Sequence, residues 1–192
     1  MTEPRDELRR PTERMPRVNE PVVEEVVERD DTYRKVIQYK TAKLFEAATR
    51  LGAIVSDATP ADGEALREYG MHLGTAFQLI DDVLDFSGHA TEIGKNVGDD
   101  LAEGKPTLPL LHAMRHGSPT QNKLIREAIE QGGLENLTQV VEAVRETGAL
   151  DHVRHLARLE ADAACAAISH FPASLYREAL LELSSFAVDR NF

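Results

Sequence analysis

With 192 residues, 42% of them hydrophobic, the chain is long enough to bury a core of its own and has the composition of a globular protein. Its formal net charge of −11 excludes a broad nucleic-acid surface, which needs a basic excess, but leaves room for small diphosphates held by a few lysines and a divalent cation. The single cysteine cannot form an internal disulfide, no run approaches the ~20 apolar residues of a membrane span, and the polar N-terminus carries no signal-peptide core, so the expected compartment is the reducing cytoplasm.

Residues 1–30 hold Pro4, Pro11, Pro16 and Pro21 among many charges of both signs, with little to bury. They read as a disordered or loosely attached arm, with a short helix candidate over residues 22–27 and a solvated Arg9-Arg10-Pro11. From Asp31 onward the pattern is helical, with no alternating β-branched runs flanking a tight hairpin turn. The first helix is expected over residues 32–55, with Val36, Ile37, Leu44, Phe45, Ala48, Leu51 and Val55 as its apolar positions. The second has a full start signal: Thr59 as N-cap, Pro60 at N1 and Asp62 as an acid at N3. It continues to residue 86, roughly 40 Å of helix. Residues 87–105 form a polar loop with Gly88, Gly94, Gly98 and Gly104, of a length that often serves a function. Pro106 opens a helix to residue 116, and Ser118-Pro-Thr-Gln121 resembles a capping box for a helix to residue 131. Further helices are expected over residues 135–147, 149–169 and 173–189, with Cys165 a small core residue in the Ala-rich one. The fold class is all-α, a helical array or bundle over residues 31–192 behind the arm of residues 1–30.

The second helix carries the most informative pattern. Gln78, Asp81, Asp82 and Asp85 stand at i, i+3, i+4, i+7 and share one face, while Phe77, Leu79, Ile80, Val83, Leu84 and Phe86 cover the others. A surface helix has a narrow apolar stripe and a wide polar face. Here the proportions are reversed, and a buried carboxylate is costly unless it is paired or binds a cation. Acids near a helix C-terminus also oppose the macrodipole. The stripe is therefore a candidate Mg2+ site, because Mg2+ takes oxygen ligands, commonly one or two carboxylates completed by water and phosphate oxygens. A solvated acidic helix end is the alternative. The lack of His and Cys on the stripe argues against zinc, and the paired Glu-x-x-His motifs of a di-iron bundle are missing. Lys95 after Gly94 and Lys105 after Gly104 add cations where glycine lets a ligand approach the backbone, an arrangement suited to a diphosphate, although each lysine alone reads as solvated.

Gly74-Thr-Ala-Phe-Gln-Leu-Ile-Asp-Asp-Val-Leu-Asp85 and Gly94-Lys-Asn-Val-Gly-Asp-Asp-Leu-Ala-Glu-Gly-Lys-Pro-Thr-Leu-Pro109, with Tyr39-Lys-Thr-Ala-Lys-Leu-Phe45 upstream, resemble the trans-polyprenyl diphosphate synthase family, and within it bacterial octaprenyl diphosphate synthases. The likeness runs from about residue 31 to residue 190, and the first block resembles the family's second aspartate-rich motif. The resemblance implies an isoprenoid-synthase-like helical bundle and a prenyltransferase that condenses isopentenyl diphosphate with an allylic diphosphate. It implies that Asp81, Asp82 and Asp85 bind Mg2+, that Lys40, Lys95 and Lys105 hold the allylic diphosphate, and that Thr41 and Gln78 face the reacting centre. Leu73, Phe77 and Ile80 become candidates for an apolar tunnel, with core packing the equal alternative; Thr41 is likewise either functional or a core-facing helix hydroxyl.

The family's first Asp-Asp-x-x-Asp motif, the arginine pair after it and the Gly-Gly-Lys-x-x-Arg segment have no counterpart in this sequence, where Asp30-Asp31 is an isolated pair. The resemblance thus covers the C-terminal half of such an enzyme. A partial bundle of this kind is expected not to elongate isoprenoids alone. The alternative is a binding or regulatory subunit, or a truncated fragment, that pairs with another chain, since half a bundle exposes a large apolar patch. A homo- or hetero-oligomer is expected.

Overall fold

The computed structural model describes residues 30–87, 98–132 and 135–190. Within them the chain forms α1 (Asp30–Ile37), a π-helical turn (Gln38–Ala42), α2 (Lys43–Val55), α3 (Pro60–Leu84), α4 (Asp99–Ala102), α5 (Leu108–His116), α6 (Pro119–Gln131), α7 (Leu137–Glu146), α8 (Ala149–Ala167) and α9 (Leu175–Asp189). No strand occurs among the described residues, as an all-α reading requires. No helix among them is long and apolar enough to cross a membrane. The helix candidate at 22–27, Arg9-Arg10-Pro11 and Lys95 lie outside the described residues.

Local chemistry sets several of these boundaries. The Asp62 N–H donates to Thr59 Oγ1 at 3.2 Å and Pro60 follows the cap, so α3 starts where its orphan amides are satisfied. At α6 the Gln121 N–H donates to Ser118 Oγ and the Ser118 N–H donates back to Gln121 Oε1 at 2.7 Å, a complete capping box. Pro106 does not open a helix: Thr107 is the N-cap of α5, and Pro109 sits in its first turn, where a missing N–H costs nothing.

α3 is the central rod, packed chiefly by α2 and α8, with α9 against its middle and α5 near its C-terminal end. Leu79, Ile80 and Val83 of α3 meet Tyr33 and Ile37 of α1, Leu111 of α5, and Val153 and Ala157 of α8 in one buried cluster. Tyr69 and Leu73 pack with Ala164, Ile168 and Ala187 in a second, where the Tyr69 hydroxyl donates to the Leu180 carbonyl of α9 at 2.8 Å. A third cluster, with Phe86, Leu101, Leu110, Ile125 and Val144, joins α4 to α7.

The helix expected over 32–55 differs in two ways. A π-helical turn interrupts it, and most of its periodic apolar residues do not enter the core. Val36, Leu44, Leu51 and Val55 are exposed, while Ala42, Glu46 and Ala53 are buried. The reason lies on α3. A Cβ placed on Gly74 would stand 2.6 Å from Ala42 Cα, and one on Gly70 would stand 2.7 Å from the Phe45 carbonyl oxygen. The two backbones approach this closely because glycine leaves the space, and Ala42, Phe45 and Glu46 face α3 while Leu44 and Leu51 turn outward. Glu46 is accommodated there by Lys43, whose Nζ lies 2.6 Å from Oε2. Cys165, expected in the core, is only part-buried.

Candidate functional site

The acidic stripe of α3 divides into a buried half and a rim. Gln78 and Asp82 are buried, whereas Asp81 and Asp85 are part-exposed. Tyr33 of α1 donates its hydroxyl to Asp82 Oδ2, and Gln78 Nε2 donates to Asp82 Oδ1 at 2.8 Å. Thr41, on the π-helical turn, donates to Gln78 Oε1 at 2.7 Å. The four side chains form one line of bonds, Thr41 to Gln78 to Asp82 with Tyr33 closing it, and each buried polar atom in it has a partner. Burial, reinforced by the Asp100 and Asp81 charges, pushes the Asp82 carboxyl up to about 7 against the bonds from Tyr33 and Gln78.

From Gly98 onward the described chain lies against the end of the stripe. Gly98, at φ +84°, takes the left-handed conformation that favours glycine, and its N–H donates to the Asp85 carbonyl at 3.0 Å. This contact sets α4 beside the end of α3, a short helix inside what the sequence suggests is only loop. Burial and then the Asp100 and Asp99 charges push the Asp85 carboxyl up to about 6, although backbone amides of Asp100 and Asp99 bond to it. Asp85 Oδ2 is nonetheless buried without a partner. Lys105, past the turn, lies 2.8 Å from Asp100 Oδ1 and 2.5 Å from Glu103 Oε2, and the bonds to these two acids push its ammonium pKa up.

Lys40, Gln78, Asp82, Asp100 and Lys105 line one cavity of about 190 Å³, walled on its apolar side by Tyr33, Val36, Ile37 and Pro106. Of the residues singled out from sequence, the structure therefore brings Lys40, Gln78, Asp82 and Lys105 together, with Thr41 one hydrogen bond behind. Asp81 stands apart at the rim, 3.9 Å from Arg190 Nη2. Arg190 also lies over the Phe77 ring at 3.8 Å and donates to the Phe77 carbonyl at 2.8 Å. Leu73 and Ile80 are core residues, 3% and 2% exposed, and Phe77 packs on Phe45 with ring centres 5.5 Å apart.

The residues suit a hard divalent ion by chemistry rather than by a finished cage. Among the described residues no group of three His, Cys, Asp or Glu side chains is set around a common point. Asp82 uses both oxygens on Tyr33 and Gln78, and Asp81 turns toward Arg190. Mg2+ does not require such a cage, since it keeps several waters and accepts substrate phosphate oxygens. The all-oxygen donor set, the orphaned Asp85 Oδ2 and the repulsion of both Asp82 and Asp85 by Asp100 all fit a cation here.

Sequence reasoning missed three participants. The acidic pair Asp99-Asp100 is the only signal that Asp100 carries in the sequence. Tyr33 and Arg190 had no local signal, because they reach the stripe from opposite ends of the described chain.

A sequence model of the polyprenyl synthetase family matches residues 19–147. The octaprenyl diphosphate synthase of Haemophilus influenzae is 52% identical over 176 residues, 91% of this chain and 52% of that protein. The octaprenyl diphosphate synthase of Escherichia coli is 50% identical over 91% of this chain and 53% of its own length. Among solved structures, the polyprenyl synthase from Caulobacter crescentus complexed with calcium and isoprenyl diphosphate superposes with a TM-score of 0.81 at 41% identity, covering 89% of this chain and 56% of that one. The chain spans about half the length of the curated relatives it matches.

Proposed function

The chain belongs to the polyprenyl synthetase family, and from that premise we propose that it holds an allylic diphosphate for prenyl transfer to isopentenyl diphosphate, in the making of an octaprenyl-like diphosphate. One observation carries this reading: Lys40 and Lys105 share a single cavity with Gln78, Asp82 and Asp100. Two cations over a carboxylate floor are what a diphosphate with its counter-ion requires.

In this reading Lys40, Lys95 and Lys105 bind the diphosphate, and Lys105 exchanges Asp100 and Glu103 for phosphate oxygens. Asp81, Asp82 and Asp85 would hold Mg2+ directly or through water, and that ion would neutralise the charge that grows on the leaving diphosphate. The allylic C–O bond breaks with its electron pair staying on the diphosphate. The double bond of isopentenyl diphosphate supplies the pair for the new C–C bond, and one proton then leaves. Gln78, held by Thr41 on one side and Asp82 on the other, cannot swing away, so Thr41 and Gln78 present fixed oxygen dipoles to the allylic cation.

Calorimetry with farnesyl diphosphate tests the proposal. Saturable binding that requires Mg2+ is expected, weakened about tenfold or more by Lys105→Ala and by Asp85→Asn; no binding in the presence of Mg2+ refutes it. A second reading, a non-catalytic subunit completed by another chain, is favoured by the exposed Val36, Tyr39, Leu44, Leu51, Ile54 and Val55, which gather on α1, the π-helical turn and α2. Neither reading expects the chain alone to incorporate labelled isopentenyl diphosphate; Mg2+-dependent binding of farnesyl diphosphate separates the two, because the non-catalytic subunit reading does not require it. In either case we assign the chain to the cytoplasm and to an oligomer.

A further inference from the structure

Gln78 is buried on the wall of the diphosphate cavity, and its amide has two ends of nearly the same shape and opposite polarity. The oxygen accepts and the NH2 donates. Toward a carbocation the two ends differ in sign, since the oxygen end attracts it and the NH2 end repels it. Nothing in the glutamine side chain itself chooses between them, so the choice falls to its neighbours. Thr41 carries a hydroxyl, which donates or accepts and so tolerates either end. Asp82, when ionised, only accepts. It draws Nε2 toward its Oδ1, at 2.8 Å, and leaves Oε1 to Thr41.

Asp82 must be held in its turn. A carboxylate rotates about its last side-chain bond in a broad well, and a donor on the second oxygen stops that rotation. Tyr33 supplies the donor, with its hydroxyl on Asp82 Oδ2. Both residues are buried, so water does not take the hydroxyl's place. Tyr33 is itself fixed from outside α3. It packs with Ile37, Leu111 and Val153 in the buried cluster, and the next residue, Arg34, ties α1 to α8 through Glu160 Oε1 at 3.4 Å. Asp82 is thus gripped by a second helix, 49 residues away in the chain, rather than by its own turn alone. A phenylalanine at this position fills the same ring space. It leaves Oδ2 buried without this donor, frees the carboxylate to rotate and releases the amide.

We propose that Tyr33 is a positioning residue of this site: through Asp82 it fixes the Gln78 amide with its oxygen end toward the reacting centre. The assignment rests on the reading of the cavity as an allylic diphosphate site. A tyrosine that served only the core would contribute packing and a satisfied hydroxyl, and its loss would weaken the fold without turning Gln78.

The test reads the Gln78 side-chain amide by NMR in the full chain, without ligand, in weakly alkaline buffer where Asp82 is ionised. Gln78→Glu assigns the signal. The wild type is expected to show one pair of amide protons, split more widely than in an exposed glutamine because one of them sits on a carboxylate. In Tyr33→Phe the splitting should narrow or a second pair should appear. Val153→Ala, which loosens the same buried cluster from α8, should keep the wild-type pair. Calorimetry in Mg2+ supplies a second readout, with farnesyl diphosphate and with an analogue that carries an ammonium group in place of the reacting carbon. Tyr33→Phe is expected to weaken the cationic analogue about tenfold or more and farnesyl diphosphate less than about threefold. An ordinary wild-type splitting, which needs no variant to fold, would overturn the proposal. So would an unchanged pair in Tyr33→Phe, the same change in Val153→Ala, or equal loss of affinity for the two ligands. Failure of the wild type to bind farnesyl diphosphate would refute the proposed function instead, and the amide spectra would still decide the role of Tyr33.

Discussion

Replacing Asp82 by asparagine should destabilise the chain slightly in acid and stabilise it above neutrality. Asp82 is 2% exposed, and burial first, then the charges of Asp100 and Asp81, hold its carboxyl up from 3.8 to about 7. The folded state therefore binds this proton more tightly than the unfolded chain does. The stability tied to it is complete below about pH 4 and is lost as pH rises toward about 7. At about 1.4 kcal/mol per pH unit, the wild-type chain loses about 4 kcal/mol over that window when no cation is bound. Asparagine keeps the shape, accepts from Tyr33 and has no charge to desolvate. It presents an NH2 to the Gln78 amide, however, so one hydrogen bond worth about 1 kcal/mol disappears at every pH. The variant should thus be about 1 kcal/mol less stable than wild type at about pH 4 and about 3 kcal/mol more stable at about pH 8. Urea unfolding across that range in a chelator reads both values. A constant difference between the two proteins at every pH would refute the reasoning, because it would mean that Asp82 titrates alike in the folded and unfolded states. Mg2+ with inorganic diphosphate should narrow the gap at high pH by stabilising the wild type alone.

Gly74→Ala drives a Cβ to 2.6 Å from Ala42 Cα and 3.1 Å from Phe45 Cβ, so α2 must move off α3. A cost of about 1–3 kcal/mol in urea unfolding is expected, against no loss for Gly63→Ala, which only the Ala53 methyl approaches. Thr41→Val removes the donor to Gln78 Oε1 and should cost about 1 kcal/mol, read in the same assay; a wild-type midpoint would show the bond contributes nothing in solution. Glu160 Oε2, 2.7 Å from His72 Nδ1, raises the His72 pKa by hydrogen bonding and charge. That stabilisation is full below the unfolded-chain value near about 6.5 and fades as pH passes the raised one. Glu160→Gln should remove this pH dependence and return the His72 ring titration in NMR toward the ordinary value. With the His72 side chain 38% exposed, solvent screening keeps the stability change small.

What the sequence determined by itself was local. Thr59 with Asp62, and Ser118 with Gln121, mark helix starts because a cap needs only residues three apart. The stripe from Gln78 to Asp85 was legible for the same reason: helical periodicity decides which side chains share a face. The burial of α2 was not legible from its own pattern. Leu44 and Leu51 look like core residues until Gly70 and Gly74 draw two backbones together and turn Ala42 and Glu46 inward instead. Nor could periodicity tell what the stripe would meet. Tyr33 reaches Asp82 across 49 residues, and Arg190 reaches Phe77 across 113. Only the tertiary structure decided that Gln78 and Asp82 are desolvated and satisfied by α1 and the π-helical turn, while Asp85 is crowded by α4. A carboxylate's charge state depends on the water it loses and the charges it gains, and long-range packing sets both.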